Sequence, residues 1–250
     1  MKLVSKLLLF FLALGLLSVS YADFREGLNA YNAGDYKAAY KEWQLLAKQG
    51  DADAQRNLGF MYSRGEGVKQ DDEKAAYWYR RAADLGDAKA QTYLGLLYTN
   101  GKGDMQDYQQ AAYWYKKAAD QGVVKAQNTL GEMYYYGKGV MQDYQQAFEW
   151  YGASAQQGDA EGQYTLGVMY ERGLGIAQEY QQAVSWYLKA TEQQYASAQY
   201  NLALMYYNGK GVSKDMSKVK YWIRLAYEGN DSKISKIAGD AWSALKLWQY

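Results

Sequence analysis

The chain has 250 residues, of which 28 are basic and 27 acidic, for a net charge of +1. It contains no cysteine, histidine or proline, so thiolate and imidazole chemistry and disulfides are excluded, and nothing interrupts long runs of helix. The even charge balance lacks the basic stripe needed to hold a polyphosphate backbone, so no nucleic-acid partner is expected.

At the start of the chain, Lys2 and Lys6 precede an apolar run from Leu7 to Leu17, followed by small residues at Ser20 and Ala22. This is the pattern of a secretory signal peptide over residues 1–22, cut between Ala22 and Asp23. The run is shorter than the roughly 20 apolar residues of a membrane-spanning helix. The mature chain is therefore expected to be exported, periplasmic or secreted, with no stable membrane insertion. Without disulfides in such a compartment, packing alone must hold the fold.

Residues 23–50 read as an N-terminal capping helix pair with a tight turn at Gly34 and Asp35. From Asp51 the chain repeats every 36 residues without insertion, in units 51–86, 87–122, 123–158, 159–194 and 195–230. The segment Met105 to Ala111 recurs unchanged from Met141 to Ala147. A fixed period of this size marks stacked supersecondary units.

Each unit carries two amphipathic helices, shown in the first by Ala54, Leu58, Met61 and Tyr62 on one face and Ala75, Trp78, Tyr79, Ala82 and Ala83 on another. Paired glycines such as Gly65 and Gly67, or Gly101 and Gly103, end the first helix through positive φ. Asp107 with Gln110 and Asp143 with Gln146 read as capping boxes for the second helix; Glu179 with Gln182 is a weaker start. Gly86, Gly122 and Gly158 close their units, whereas Gln194 and Asn230 stand there in the last two, so the junction between those two is expected to be looser. Glycine inside the first helix, at Gly59, Gly95, Gly131 and Gly167, is expected to let the large tryptophan of the second helix approach. Residues 231–250 form one last helix with Ile234, Ile237, Ala238, Ala241, Trp242 and Leu245 on a stripe, a C-terminal cap that shields the end of the array.

The pattern A-x-x-L-G-x-x-Y-x-x-G-x-G, an acidic residue, then A-x-x-W-Y-x-x-A-A runs through Ala90, Leu94, Gly95, Tyr98, Gly101, Gly103, Asp107, Ala111, Trp114, Tyr115, Ala118 and Ala119. It resembles the Sel-one-like repeat, a relative of the tetratricopeptide repeat, over residues 51–230. The resemblance implies an all-α, right-handed superhelical solenoid of stacked helix-turn-helix repeats whose concave groove binds other proteins. The family often has proline before the acidic cap; Lys69, Met105, Met141, Ala177 and Ser213 stand there instead, which implies a less rigid turn.

A binding surface has to come from positions that vary between repeats. Counted from the first residue of each unit, positions 3, 6, 10 and 13 lie away from the apolar face of the first helix, and the resemblance places that side in the groove. The candidate protein-binding residues are Arg56 and Phe60; Lys89 and Leu96; Lys125, Glu132 and Tyr135; Tyr164, Val168 and Glu171; and Tyr200, Leu204 and Tyr207. Tyr135, Tyr164, Tyr200 and Tyr207 are expected to form one aromatic lane in the C-terminal half, outside the core. The partner is expected to be a protein or peptide, the chain a monomer, and no cofactor, metal or catalytic residue is assigned. An enzyme acting on cell-wall material is the alternative, since a cysteine-rich exported branch of the family is linked to β-lactams and Ser-x-x-Lys occurs at Ser217 to Lys220 and Ser243 to Lys246. No Lys-Thr-Gly or Ser-Asp-Asn accompanies it. A structural subunit of an envelope assembly is a third reading.

Overall fold

The computed structural model describes residues 24–101 and 106–249. Residues 1–22, the Ala22–Asp23 junction, Gly103 and Met105 lie outside the described residues. The chain divides into two compact units, one ending at Ala118 and the other beginning at Ala119. The first contains α1 (24–32), α2 (Tyr36–Gln49), α3 (Ala52–Arg64), α4 (Asp72–Asp84), α5 (Ala88–Asn100) and most of α6 (Tyr108–Asp120). The second contains α7 (Val124–Tyr136), α8 (Tyr144–Gln156), α9 (Ala160–Arg172), α10 (Tyr180–Glu192), α11 (Ala196–Asn208), α12 (Met216–Glu228), α13 (Ser232–Ala244) and a 3-10 turn at Leu247–Gln249. There is no strand among the described residues. Within each unit, helices consecutive in the chain pack on one another, the arrangement of a helical repeat solenoid.

The first helices begin on carboxylates: the side chains of Asp51, Asp87 and Asp159 accept from the backbone N–H groups of Ala54, Ala90 and Gly162. Val123 and Tyr195 hold the same position without a side-chain bond. The second helices start on Asp71, Asp107, Asp143 and Asp215 in the same way, and Glu179 makes no such bond. The capping boxes are only half present. In place of the glutamine side chain, the N–H of each starting residue is taken by a tyrosine carbonyl at the end of the preceding helix: Asp71 by Tyr62, Asp107 by Tyr98, Asp143 by Tyr134 and Glu179 by Tyr170. Gln146 turns to Glu149 instead.

The turn between the two helices is braced without proline. Gln70, Gln106, Gln142 and Gln178 each donate Nε2 to a carbonyl seven residues back, on Ser63, Thr99, Tyr135 and Glu171. Gly65 ends α3 at φ 72°. Gly67 has the same φ, and a Cβ there would lie 2.5 Å from the Tyr36 carbonyl oxygen, so only glycine lets the turn rest on the start of α2. Gly101 departs from the expectation, with φ −54°. Gln194 adopts φ 60°, taking the left-handed place that glycine fills at Gly122 and Gly158.

The core of a repeat is small residues against large ones. Leu58 and Met61 of α3, and Ala75, Tyr79, Ala82 and Ala83 of α4, are buried, each large side chain worth about 1.5–3 kcal/mol on leaving water. The residue that meets the helix glycine is the tyrosine, not the tryptophan. A Cβ on Gly59 would come 2.6 Å from the Tyr79 ring, and Gly95, Gly131 and Gly167 face Tyr115, Tyr151 and Tyr187 in the same way. Of the in-phase tryptophans only Trp114 is fully buried; Trp78, Trp150, Trp186 and Trp222 are half-buried. Geometry explains the correction: the indole sits one residue earlier, 100° round the helix from the glycine contact. In the last repeat the same two positions hold Ala203 and Ile223, both fully buried, a larger residue opposite a smaller one. At the C-terminus, Ala238 is buried, and Ile234, Ala241, Trp242 and Leu245 pack on the α10–α12 core, while Ile237 faces solvent.

Candidate functional site

Three of the thirteen candidate residues meet in one place. Arg56 and Phe60 of α3 and Lys89 of α5 line a cavity of about 290 Å³ with Leu28, Tyr31 and Asn32 of α1, Trp43 of α2, Asn57 of α3 and Tyr93 of α5. The cavity lies wholly within the first unit. Its walls are aromatic: Tyr31 lies 5.5 Å from Trp43, and Phe60 6.1 Å from Tyr93, whose ring also meets the buried Tyr79 at 5.2 Å. Asp35 positions α2 by accepting from the Ala38 N–H, and Asp51 does the same for α3, so the rings stand on capped helices.

The polar groups are differently engaged. Arg56 Nη1 reaches Asp53 at 2.7 Å and Asp87 at 2.5 Å, and Asp87 also caps α5. Burial pushes the Arg56 guanidinium down, but the carboxylates of Asp87 and Asp53 outweigh it and hold its pKa above the ordinary value. Arg56 is thus a fixed strut whose charge is already matched. Lys89 is exposed and carries the cationic contribution of the lip. Tyr31 donates to Glu66 at 2.5 Å, and burial followed by that bond pushes its hydroxyl up to about 12. The site can take an apolar or aromatic side chain with an anionic neighbour.

The other candidates are spread along the first helices. Leu96, at 46 % exposure, and Lys125 and Glu132 are exposed, with Glu132 3.8 Å from Lys138. Tyr135 is half-buried against Tyr136 and Tyr144. Tyr164 packs on the second unit's core and pairs with Tyr187 and Tyr195 at 5.9 and 5.2 Å; Val168 and Tyr200 rest on the same core. Glu171 accepts a hydrogen bond from the Tyr187 hydroxyl at 2.7 Å. Leu204 is half-buried and Tyr207 exposed.

The expectation that Tyr164 and Tyr200 stand free of the core is therefore corrected. The reason is visible at position 6, where the side chain reaches the first residue of the next repeat: Arg56 to Asp87, Asn128 to Asp159 at 2.7 Å, Tyr164 onto Tyr195. That position stitches repeats together before it can serve a ligand. Leu28, Tyr31, Trp43 and Tyr93 are not among the residues expected from the sequence. Tyr93 stands at position 7, which also varies between repeats (Asn57, Tyr93, Thr129, Thr165 and Asn201), and the same criterion applied there finds it.

Among the described residues no helix is long and apolar enough to cross a membrane, and no group of acidic residues is placed to hold a metal ion. No curated protein matches the sequence. Similar solved structures include the following two. One, described as c5321, a protective antigen present in uropathogenic Escherichia coli strains and displaying an SLR fold, is 33 % identical over 92 % of this chain, with a TM-score of 0.85. This chain spans only 50 % of that protein's length. The other, a Sel1 repeat protein from Oxalobacter formigenes, is 31 % identical over 86 % of this chain and 88 % of its own, with a TM-score of 0.80. The Sel1 repeat model matches residues 52–87, 88–123, 124–159, 160–195 and 196–231 in unbroken succession, and the chain belongs to the Sel1 repeat family.

Proposed function

We propose that this protein is an exported scaffold that holds a segment of a partner protein against its first helices, with the cavity of the first unit as an anchor point. Sel1 repeat proteins are in general scaffolds for protein–protein interaction and typically not enzymes. The observation that carries the reading is the convergence of Phe60, Lys89, Tyr31, Trp43 and Tyr93 on one concavity of side-chain size. Aromatic walls contribute contact area at low entropic cost, and a cation at the lip gives orientation. The preferred occupant is an apolar or aromatic side chain next to a carboxylate. Export is supported by Lys2, Lys6 and the apolar run, and by the relative's description as a protective antigen. A periplasmic or secreted regulator, assembly factor or host-interaction protein fits this setting.

A displayed peptide library panned against the purified chain tests the binding site. Enriched peptides should pair an aromatic or large aliphatic residue with Asp or Glu. Phe60→Ala and Lys89→Glu should each weaken a selected peptide by about tenfold or more, the effect of losing one anchor. Undiminished binding to both variants would place the site elsewhere.

A further inference from the structure

Every repeat has a buried glutamine at its fifth position: Gln55, Gln91, Gln127, Gln163 and Gln199. In the first four, Nε2 donates to the carbonyl eight residues earlier, on Ala47, Ala83, Ala119 and Ala155. In the second unit the carboxamide oxygen is then served from the following second helix. Gln157 donates Nε2 to Gln127 Oε1 at 2.8 Å and to the Gly122 carbonyl at 3.1 Å; Gln193 does the same to Gln163 Oε1 at 3.0 Å and the Gly158 carbonyl at 2.7 Å. One NH₂ group bridges two acceptors each time.

After Gln199 the ladder stops, because the residue equivalent to Gln157 and Gln193 is Gly229. Gln199 is 4 % exposed and its Oε1, buried, has no hydrogen-bond partner. A native fold rarely leaves such an atom unpaired. Gln55 has the same orphaned oxygen, with Leu85 at the partner position. At Gly229 there is no side chain, and a cavity of about 1100 Å³ opens with Gln199 in its wall. Gln194, whose carbonyl corresponds to those of Gly122 and Gly158, lies in the same wall. So do Glu192, Glu228 and Asp231, with no lysine or arginine among the lining residues. Asp231 also caps α13, and Glu228 has a 3.9 Å contact with Arg224. Tyr221 and Trp222 complete the wall as an edge-to-face pair with centroids 4.8 Å apart.

We propose that this cavity binds a guanidinium group, which takes the place of the missing glutamine. Its paired N–H donors match the bridging geometry of the Gln157 and Gln193 carboxamides, its charge matches three carboxylates, and its flat face suits the aromatic wall. The group arrives either as an arginine side chain of a peptide or as a small free guanidine. The site lies in the second unit and is separate from the cavity of the first.

The test is calorimetric titration of the full chain with four probes: a capped Gly-Arg-Gly peptide, agmatine, N-acetyl-citrulline amide and N-acetyl-lysine amide. Both guanidinium probes should bind saturably, and citrulline, isosteric but uncharged, should bind about tenfold more weakly or not at all. Tighter binding of the peptide assigns a protein source, and equal or tighter binding of agmatine a small molecule. Glu192→Gln with Glu228→Gln, both on exposed side chains, should weaken the guanidinium probes several-fold. Gly229→Gln should remove binding: its backbone lies at φ −69°, open to any residue, and a Cβ there meets Ala196 Cβ at an ordinary 3.4 Å. Gln199→Met assigns the Gln199 side-chain amide resonance by its loss, and that resonance should shift when the parent chain is titrated with a guanidinium probe. Three results would overturn the proposal: no binding up to about 10 mM, an affinity too weak to matter; lysine or citrulline equal to arginine; or full binding to a folded Gly229→Gln variant.

Discussion

Alanine in place of two helix glycines should change stability in opposite directions. Gly167, in α9, faces Tyr187, and an alanine Cβ there would come 2.7 Å from ring atoms Cδ1 and Cε1 and 3.3 Å from the Ala183 carbonyl oxygen. Tyr187 is fully buried, and its hydroxyl is held by Glu171 at 2.7 Å and Asn201 at 3.2 Å, so the ring has little room to retreat. Helix propensity favours the substitution by about 1 kcal/mol, and overpacking opposes it by about 1–3 kcal/mol. The expected net loss is up to about 2 kcal/mol, from the difference of those terms. A methyl group added at Gly152, in α8, would meet nothing within 4 Å, so Gly152→Ala should gain about 1 kcal/mol. Urea denaturation followed by helical circular dichroism measures both, with slopes compared to confirm that the unfolding unit is unchanged. Tyr187→Ile combined with Gly167→Ala, imitating Ile223 and Ala203, should show favourable coupling of about 1 kcal/mol in a double-mutant cycle. A Gly167→Ala midpoint raised as far as that of Gly152→Ala would refute the close approach of Tyr187.

Trp114→Ala should cost about 3–5 kcal/mol, because that indole is 2 % exposed. Trp186→Ala, at a half-buried indole under Lys189, should cost less than about 2 kcal/mol, and equal losses in thermal or urea unfolding would restore the tryptophans as one core series. Tyr31, Tyr62 and Tyr195 are each held up to about 12, chiefly by burial. Their folded pKa values exceed the ordinary 10.0, so this contribution is intact below pH 10.0 and is lost as pH rises toward 12. Alkaline unfolding followed by circular dichroism should therefore begin in that window, and Tyr195→Phe should make it shallower. Exported material should have the mass of a chain beginning at Asp23, and retention of residues 1–22 would count against signal cleavage.

Much of the architecture was legible because each helix in a repeat announces itself locally. Carboxylates start the helices, glycines end them, and apolar residues recur at helical spacing, all within reach of a single helix. The binding surface was less legible. Facing away from the apolar side of one helix does not mean facing solvent, because the next repeat packs there: Asn128 is buried on Asp159, and Tyr164 lies on Tyr195. The cavity around Phe60 needed Leu28, Tyr31 and Trp43, which precede the first repeat and carry no repeat-based signal.

The sequence by itself determined the period, the helix pairs, the capping aspartates and the absence of thiol and imidazole chemistry, since each depends on residue type and short-range spacing. Tertiary structure decided which aromatic side chain meets each helix glycine, because a rotation of one residue separates Tyr187 from Trp186 and only the facing helix selects between them. It also decided the fate of the buried glutamines. Their carboxamides are completed by residues 30 positions away, at Gln157 and Gln193, and the oxygen of Gln199 is left unpaired where that side chain is missing. Hydrogen bonding across repeats is a property of the stack, and a single repeat carries no record of whether its neighbour supplies the donor.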